Sequence, residues 1–170
     1  VVLLNKQEEK KQEAEEQASR ILNITENDVT ELVLLPDGIH CVRDSAEWRI
    51  INPVHTWGDK DAIESVISLF ERANKERVVS SNSEEYSKFG LSPAAASLVL
   101  VHDSGADTVY VGDKSPTGSF VFARQSGSPD VFLTATTLLN NAEKELFDLR
   151  DKKALGFDKN NIRSLTLNNR

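Results

Sequence analysis

The sequence has few of the residues from which compact metal and disulfide sites are built. Its 170 residues include one cysteine, Cys41, three histidines and no methionine. A lone cysteine cannot form an internal disulfide, and it makes a cysteine-rich zinc site implausible. His40, His55 and His102 are far apart in sequence, and none belongs to a His-x-x-His or Glu-x-x-His set. We therefore predict no metal site and no cofactor.

Clusters of basic residues are also missing. The chain has 20 lysines and arginines against 27 acidic residues, which gives a net charge of −7. Binding to a phosphate backbone requires clustered lysine and arginine side chains. The composition therefore predicts no nucleic-acid partner.

Long apolar runs are scarce as well. The chain begins with the apolar segment Val1–Leu4, which is far shorter than the run of about 20 residues that crosses a bilayer. Two interpretations of Val1–Leu4 stay open: the trailing end of a removed membrane anchor, or the remnant of an arbitrary cut. The following stretch, Asn5–Gln17, is highly charged and has high helix propensity. We predict that residues 1–25 form the end of an anchor and a charged stalk helix.

The overall composition, with 39% apolar and 28% charged residues, is that of an ordinary soluble protein. Val29–Leu35 and Ile39–Arg43 flank a Pro-Asp-Gly turn, and Glu47–Ile51 follows a second reversal, so three strands are predicted. From Asp59, a suitable N-cap, the apolar period becomes helical. The apolar side of this helix consists of Ile63, Val66, Ile67 and Phe70. These elements form the predicted first lobe, residues 26–84.

A polar stretch, Ser80–Glu85, separates this lobe from further strand-like segments. Their spacing is typical of an antiparallel meander, and they are Ser97–Val101, Thr108–Val111, Phe120–Ala123 and Val131–Leu133. Helical sequence follows over about Thr136–Arg150, with a break expected at Asn140–Asn141. The predicted second lobe covers residues 85–157. The predicted fold class is α+β, with two small lobes of antiparallel sheet covered by helices.

The end of the chain partly repeats its beginning. The stretch Asn160–Leu167 reproduces in outline the stretch Asn27–Leu34, with apolar residues at one constant offset. A polar turn followed by such residues is typical of a short strand that opens a module. We predict a module of a tandem repeat, in which residues 158–170 are the first strand of a following, truncated copy.

Several short motifs occur in an order that resembles a known family. They are Trp48–Ile50 with Pro53, an acidic helix start, Phe89–Pro93, Val111–Gly118, Phe122–Ala123, Val131–Leu133 and Leu149–Lys152. From about Val29 to its C-terminus, the chain resembles the bacterial family known as domain of unknown function 4340.

The resemblance implies a location and a partner. Members of this family typically carry one N-terminal transmembrane helix, a charged stalk and tandem copies of the module outside the cytoplasm. Their genes often lie beside those of gliding-motility-type ABC transporters. No catalytic residues are established for the family, so the resemblance assigns none.

Two other segments resemble catalytic or phosphate-binding motifs only in part. Gly112–Ser115 ends like a phosphate loop, but it lacks the preceding glycine-rich run and the following helix, so we predict a hairpin loop there. Ser104 does not lie in a Gly-x-Ser-x-Gly elbow and is interpreted as a turn serine.

The most site-like cluster is Trp48, His55 and Trp57, because an aromatic pair on a loop can stack a sugar or a peptide. The alternative is that Trp48 anchors the core while Trp57 packs at the entrance of the helix.

The sequence shows no catalytic constellation, so no enzyme activity is expected. We predict a noncatalytic extracytoplasmic module of a membrane-anchored protein that scaffolds or regulates an ABC-transporter-like complex. The alternative is a solute- or glycan-binding domain with a groove between its two lobes.

Overall fold

The chain is organised around one large antiparallel sheet. The computed structural model describes residues 17–153 together with Ser164 and Thr166. The strands are β1 (Val29–Leu35), β2 (Ile39–Asp44), β3 (Glu47–Asn52), β4 (Thr56–Trp57), β5 (Arg77–Ser80), β6 (Ala96–His102), β7 (Gly105–Lys114), β8 (Phe120–Gln125) and β9 (Val131–Ala135). The helices are α1 (Lys60–Glu71), α2 (Thr137–Ala142) and α3 (Leu146–Leu149), with 3-10 helices at Glu26–Asp28 and Ser83–Phe89.

The order of the strands shows that the two-lobe prediction is wrong. The described strands form a single nine-stranded sheet in the order β4-β3-β2-β1-β6-β7-β8-β9-β5. β1 joins the two halves, since it pairs with β2 on one side and with β6 on the other, where Leu32 lies opposite Leu100. β5 precedes the polar stretch in sequence, yet it pairs with β9 at the far edge. The stretch Ser80–Glu85 is therefore a connection within one sheet, and residues 17–153 do not form the two separate lobes that were predicted.

Local predictions in the first half of the chain are confirmed. The Asp59 carboxylate caps α1 by accepting a hydrogen bond from the Ala62 amide at 3.1 Å. The four apolar residues predicted for the inner side of α1 are buried. Gly38, in the turn between β1 and β2, has a φ of 67°, which glycine adopts without strain.

The loop between β7 and β8 is the predicted hairpin reversal. The Ser115 amide donates to the Phe120 carbonyl at 2.8 Å, and the Gly118 amide donates to the Ser115 carbonyl at 2.8 Å. The predicted C-terminal helix is divided into α2 and α3 over Glu143–Glu145, slightly later than the expected break at Asn140–Asn141.

The sheet has two unlike faces, here named the helix face and the open face. Side chains alternate between the faces of a strand, and on the helix face they form one buried cluster with α1, α2 and α3. Trp48 and Phe132 of the sheet and Phe70 of α1 are the largest members of this cluster. The open face lies on the opposite side of the same strands.

The N-terminal segment of the described chain also enters the core. Residues 17–19 are helical, and Ile21 and Leu22 are buried in the main cluster. The Ile21 amide donates to the Ala73 carbonyl at 2.9 Å, directly after α1. The folded body therefore includes residues that were predicted to belong to the stalk.

Two predictions concern the ends of the chain: an anchor with a stalk helix at residues 1–25 and a second repeat at residues 158–170. Residues 1–16 lie outside the described residues, as does most of the segment 158–170 predicted to open a second repeat. In the part of the chain that is described, none of the helices is long and apolar enough to cross a bilayer.

Candidate functional site

The open face carries apolar side chains from β2 to β6, where a solvated sheet face usually carries polar ones. Val33, Val42, Val99 and Val101 point to this face and are half-buried. Val33 lies opposite Val99 in the pairing of β1 with β6. We name these four residues the valine strip.

A polar pair, Glu31 and His40, lies beside the valine strip. Nε2 of His40 is 2.7 Å from Oε2 of Glu31, and both side chains are partly exposed. In the strand register, Glu31 lies between Val42 and Val101. The pair therefore places a hydrogen-bonding group at the centre of an apolar surface.

The rim of this surface is aromatic and aliphatic. The Arg49 guanidinium lies 3.8 Å from the centre of the Trp57 ring, and the residue Trp57 is 47% exposed. Oδ2 of Asp44 lies 3.0 Å from Nε of the same arginine and forms an ion pair with it. Leu35 and Ile51 also point to the open face and are exposed. Stacking on a cation restricts the Trp57 ring without covering it fully.

The three residues predicted as a site do not share one surface. Trp48 lies on the helix face and is fully buried, with its Nε1 donating to Oε1 of Glu64 at 3.3 Å. Trp57 lies on the open face, and His55 is exposed in the connection between β3 and β4. Arg43 packs over the Trp48 ring at 4.9 Å and completes a structural contact in the core.

The other half of the open face is covered by the Ser83–Phe89 3-10 helix. The rings of Phe89 and Phe122 are 4.9 Å apart between centres. The Arg124 guanidinium lies 3.6 Å from the Tyr110 ring centre and 4.6 Å from that of Tyr86. Aromatic contacts therefore replace solvent above β7 and β8.

An apolar pocket lies at the far end of the open face, between the β7–β8 loop and the edge strand β5. Its volume is about 480 Å³. Its apolar lining consists of Val79, Pro116, Phe120, Phe122 and Leu133, and its polar lining of Glu76, Arg77, Ser115 and Thr117. Pockets of this size, mostly apolar with a few polar groups, are the usual form of small-molecule sites.

A hydrogen-bonded series of serine, histidine and aspartate occurs at the β6–β7 turn and was missed in the sequence. Nδ1 of His102 is 2.8 Å from Oγ of Ser104, and Nε2 is 3.2 Å from Oδ2 of Asp107. The spacing of these residues resembles no known catalytic motif, which is why the pattern gave no signal. All three lie in one hairpin, where the same contacts stabilise the turn.

The lone cysteine is not arranged as a nucleophile. Cys41 lies on the helix face, and burial raises the pKa of its thiol to about 12. Since the thiolate is the reactive form, the thiol is inert in the folded protein near neutral pH. Within the described residues, no group of three or more histidine, cysteine, aspartate or glutamate side chains is placed to hold a metal ion.

Residues 48–170 match the family named domain of unknown function 4340, or DUF4340. The chain belongs to the DUF4340 family. The match begins at Trp48, so β1 and β2 precede it although they lie in the middle of the sheet. No curated protein and no solved structure matches the chain.

Two of the motifs that resemble the DUF4340 family contact each other in the structure. Gly112 of β7 packs so closely on the end of the 3-10 helix that a Cβ atom there would overlap the Phe89 carbonyl oxygen. Gly90 ends the 3-10 helix with a φ of 67°, and a Cβ atom on it would overlap the Asp113 side chain. The glycines of both motifs therefore allow the cover of the open face to approach β7.

Proposed function

We propose that this DUF4340 protein is a noncatalytic extracytoplasmic module of a membrane-anchored protein, and that it scaffolds or regulates an ABC-transporter-like complex. The observation that carries the proposal is the uncovered half of the open face, with the valine strip and its exposed rim. The membrane location and the transporter partner rest on what is typical of the family.

The proposed docking surface follows from the cost of leaving apolar side chains in water. Burial of apolar surface is favourable by about 25 cal/mol per Å². An uncovered group of valines and exposed rim residues is therefore a surface that gains free energy when a partner covers it. The Glu31–His40 pair would supply polar contacts at the centre of such an interface.

The charge of the chain favours a partner with a basic docking region. The net charge is −7, and complementary potentials raise the rate and specificity of association more than they raise affinity. A transporter surface that presents lysine or arginine around an apolar patch fits these properties. Such binding would weaken as ionic strength rises, because salt screens exposed charges.

Photo-crosslinking in cells tests the docking surface. A photoreactive phenylalanine analogue at Val42, in the valine strip, should crosslink to an integral membrane subunit of an ABC-type transporter. The matched control is the same analogue at Ser65, which is exposed on α1 behind the helix face. Equal crosslinking from both positions, or products without a transporter subunit, would contradict the proposal.

Fractionation of the protein expressed from its own gene tests the location. Retention in the membrane fraction, together with digestion by protease added to intact spheroplasts, is the expected result. A soluble product that protease cannot reach would refute both the location and the transporter partner.

The noncatalytic part of the proposal has a separate test at the Ser104 turn. A fluorophosphonate probe, which modifies activated serine hydroxyls, should not label the protein. Labelling that is lost in Ser104→Ala and reduced in Asp107→Asn would show an activated serine and would refute the noncatalytic assignment.

A further inference from the structure

The geometry points to a second binding site, independent of the docking surface: the apolar pocket beside β5 binds a small soluble carboxylate that has an apolar chain. The pocket lies over β8, β9 and β5, whereas the valine strip lies over β1, β2 and β6. The two sites are therefore at opposite ends of the open face.

The apolar part of the ligand follows from the floor of the pocket. Phe120, Phe122 and Leu133 point to the open face, because the residues between them on their strands are buried on the helix face. Phe122 is held by its contact with Phe89, so its ring has a defined position. The pocket is therefore a preformed apolar surface, and an aliphatic chain would replace water on it.

The anionic part of the ligand follows from Arg77. The side chain of Arg77 lines the pocket on the edge strand, directly opposite Leu133 in the pairing of β5 with β9. Within residues 17–153 it forms no ion pair, whereas Arg43 and Arg49 each do. A guanidinium at the mouth of an apolar pocket is suited to a carboxylate, which it can bind through two parallel hydrogen bonds.

A second donor lies on the opposite wall. Oγ of Ser115 accepts a hydrogen bond from the Phe120 amide at 3.3 Å, and it lies 3.1 Å from Oγ1 of Thr117. When the Ser115 hydroxyl donates a hydrogen bond to Thr117, the Thr117 hydroxyl can donate its own hydrogen bond to an oxygen of the ligand. The carboxylate would then lie between Arg77 and Thr117, with the chain over the aromatic floor.

The carboxylate of Glu76 would repel an anionic ligand. Neutral variants of Glu76 and Arg77 therefore test the sign of the ligand's charge. Glu76 also borders this pocket, and it forms no ion pair within residues 17–153. A carboxylate ligand should therefore bind more tightly when Glu76 is neutral, and more weakly when Arg77 is neutral. A cationic ligand would show the reverse of both effects.

Calorimetry and NMR titration with decanoate test the site. Decanoate should bind with a dissociation constant below about 1 mM, and the amide shifts should be confined to β5, β9 and the β7–β8 loop. Decanol, with the same chain but no charge, and acetate, with the charge but no chain, should both bind more weakly. Arg77→Gln should weaken decanoate about fivefold to tenfold and leave decanol unchanged, whereas Glu76→Gln should strengthen decanoate.

A pocket-filling variant provides the control for folding. Thr117 is exposed in a loop, so Thr117→Trp should keep the melting temperature of the parent protein while abolishing decanoate binding. Equal affinity for decanol and decanoate, amide shifts outside the pocket, or full binding by Thr117→Trp would each overturn the proposal. Loss of transporter crosslinking from Val42 would leave this site unaffected, so the two proposals fail separately.

Discussion

The helix face and the open face of the sheet are covered in different ways. On the helix face, three helices bury one continuous cluster that includes Trp48, Phe70 and Phe132. On the open face, cover over β7 and β8 comes from a seven-residue 3-10 helix, while the valine strip keeps partial access to solvent. The difference indicates that the helix face holds the main core of the fold, whereas part of the open face stays accessible to solvent.

Arginine side chains have different surroundings in the two halves of the open face. Arg124 lies between Tyr86 and Tyr110, and its Nε is buried without a hydrogen-bond partner. Arg49 also stacks on an aromatic ring, that of Trp57, but it keeps an ion pair with Asp44. A ring face offsets part of the cost of removing a guanidinium from water. The covered half is thus packed as an interior, and the uncovered half is arranged as a surface.

The largest expected contrast between the faces is in chemical access at two neighbouring positions of β2. Cys41 is fully buried on the helix face, and its raised pKa leaves almost no thiolate at about pH 8. In a Cys41→Ala background, Val42→Cys places a thiol on the open face. Iodoacetamide should modify this thiol more than about a hundredfold faster than native Cys41, which reacts only when the protein opens.

The pH dependence of the same reaction sharpens the test. Between about pH 8 and pH 9, the rate for Val42→Cys should rise with the thiolate fraction of an ordinary cysteine. The pKa of about 12 keeps folded Cys41 protonated over this range. Similar rates for the two thiols would mean that the faces do not differ in access.

The next largest effect is expected in the core under α1. Phe70 is fully buried, and Phe70→Ala should lower the free energy of unfolding by about 3–5 kcal/mol through lost burial and a cavity. Urea denaturation followed by circular dichroism measures the change. Ser65→Ala, on the exposed side of the same helix, is the control and should change stability little. A small effect for Phe70→Ala would show that the helix face does not carry the stability.

A smaller effect is expected where the 3-10 helix approaches the open face. Gly112→Ala forces the new Cβ against the Phe89 carbonyl and should cost about 1–3 kcal/mol as the cover shifts. The NMR shifts of the Tyr86 and Tyr110 rings should change with it.

The control for this variant is Gly118→Ala. Gly118 has a φ of 73° with open space around it, so a substitution there adds backbone strain without overlap. Unchanged tyrosine shifts in Gly112→Ala would mean that this contact does not hold the cover in place.

The smallest expected contrast is the difference in stability cost between the same substitution on the two faces. Val109 is fully buried on the helix face, and Val109→Ala should cost about 2–3 kcal/mol. Val99 is half-buried on the open face of the neighbouring strand, and Val99→Ala should cost about 1 kcal/mol or less. The difference in urea midpoints at equal slope measures the contrast. Equal costs would indicate that the open face is already packed as a core.

Some residues of the candidate site can be predicted from the sequence, but their positions relative to one another cannot. The sequence favours Trp48 and Trp57 because an aromatic pair on a loop can stack a sugar or a peptide, but β3 places Trp48 on one face and the β3–β4 pairing places Trp57 on the other. The apolar pocket joins Arg77 to Leu133 and Phe120. These residues carry no common motif, because the pairings of β9 with β8 and with β5 bring them together.

By itself, the sequence determined the local elements. The hairpin at Gly38, the capped helix after Asp59 and the meander from β6 to β9 depend on contacts between residues near in the chain, which turn chemistry and apolar periodicity encode. The pairing of β1 with β6 and of β5 with β9 was decided only by the tertiary structure. Both strands of such a pair have the same alternating apolar pattern as many other strands. The pattern therefore does not specify which strands pair with each other. The choice depends on which arrangement satisfies both edges of β1 and buries one shared helix face, and this is a property of the whole chain.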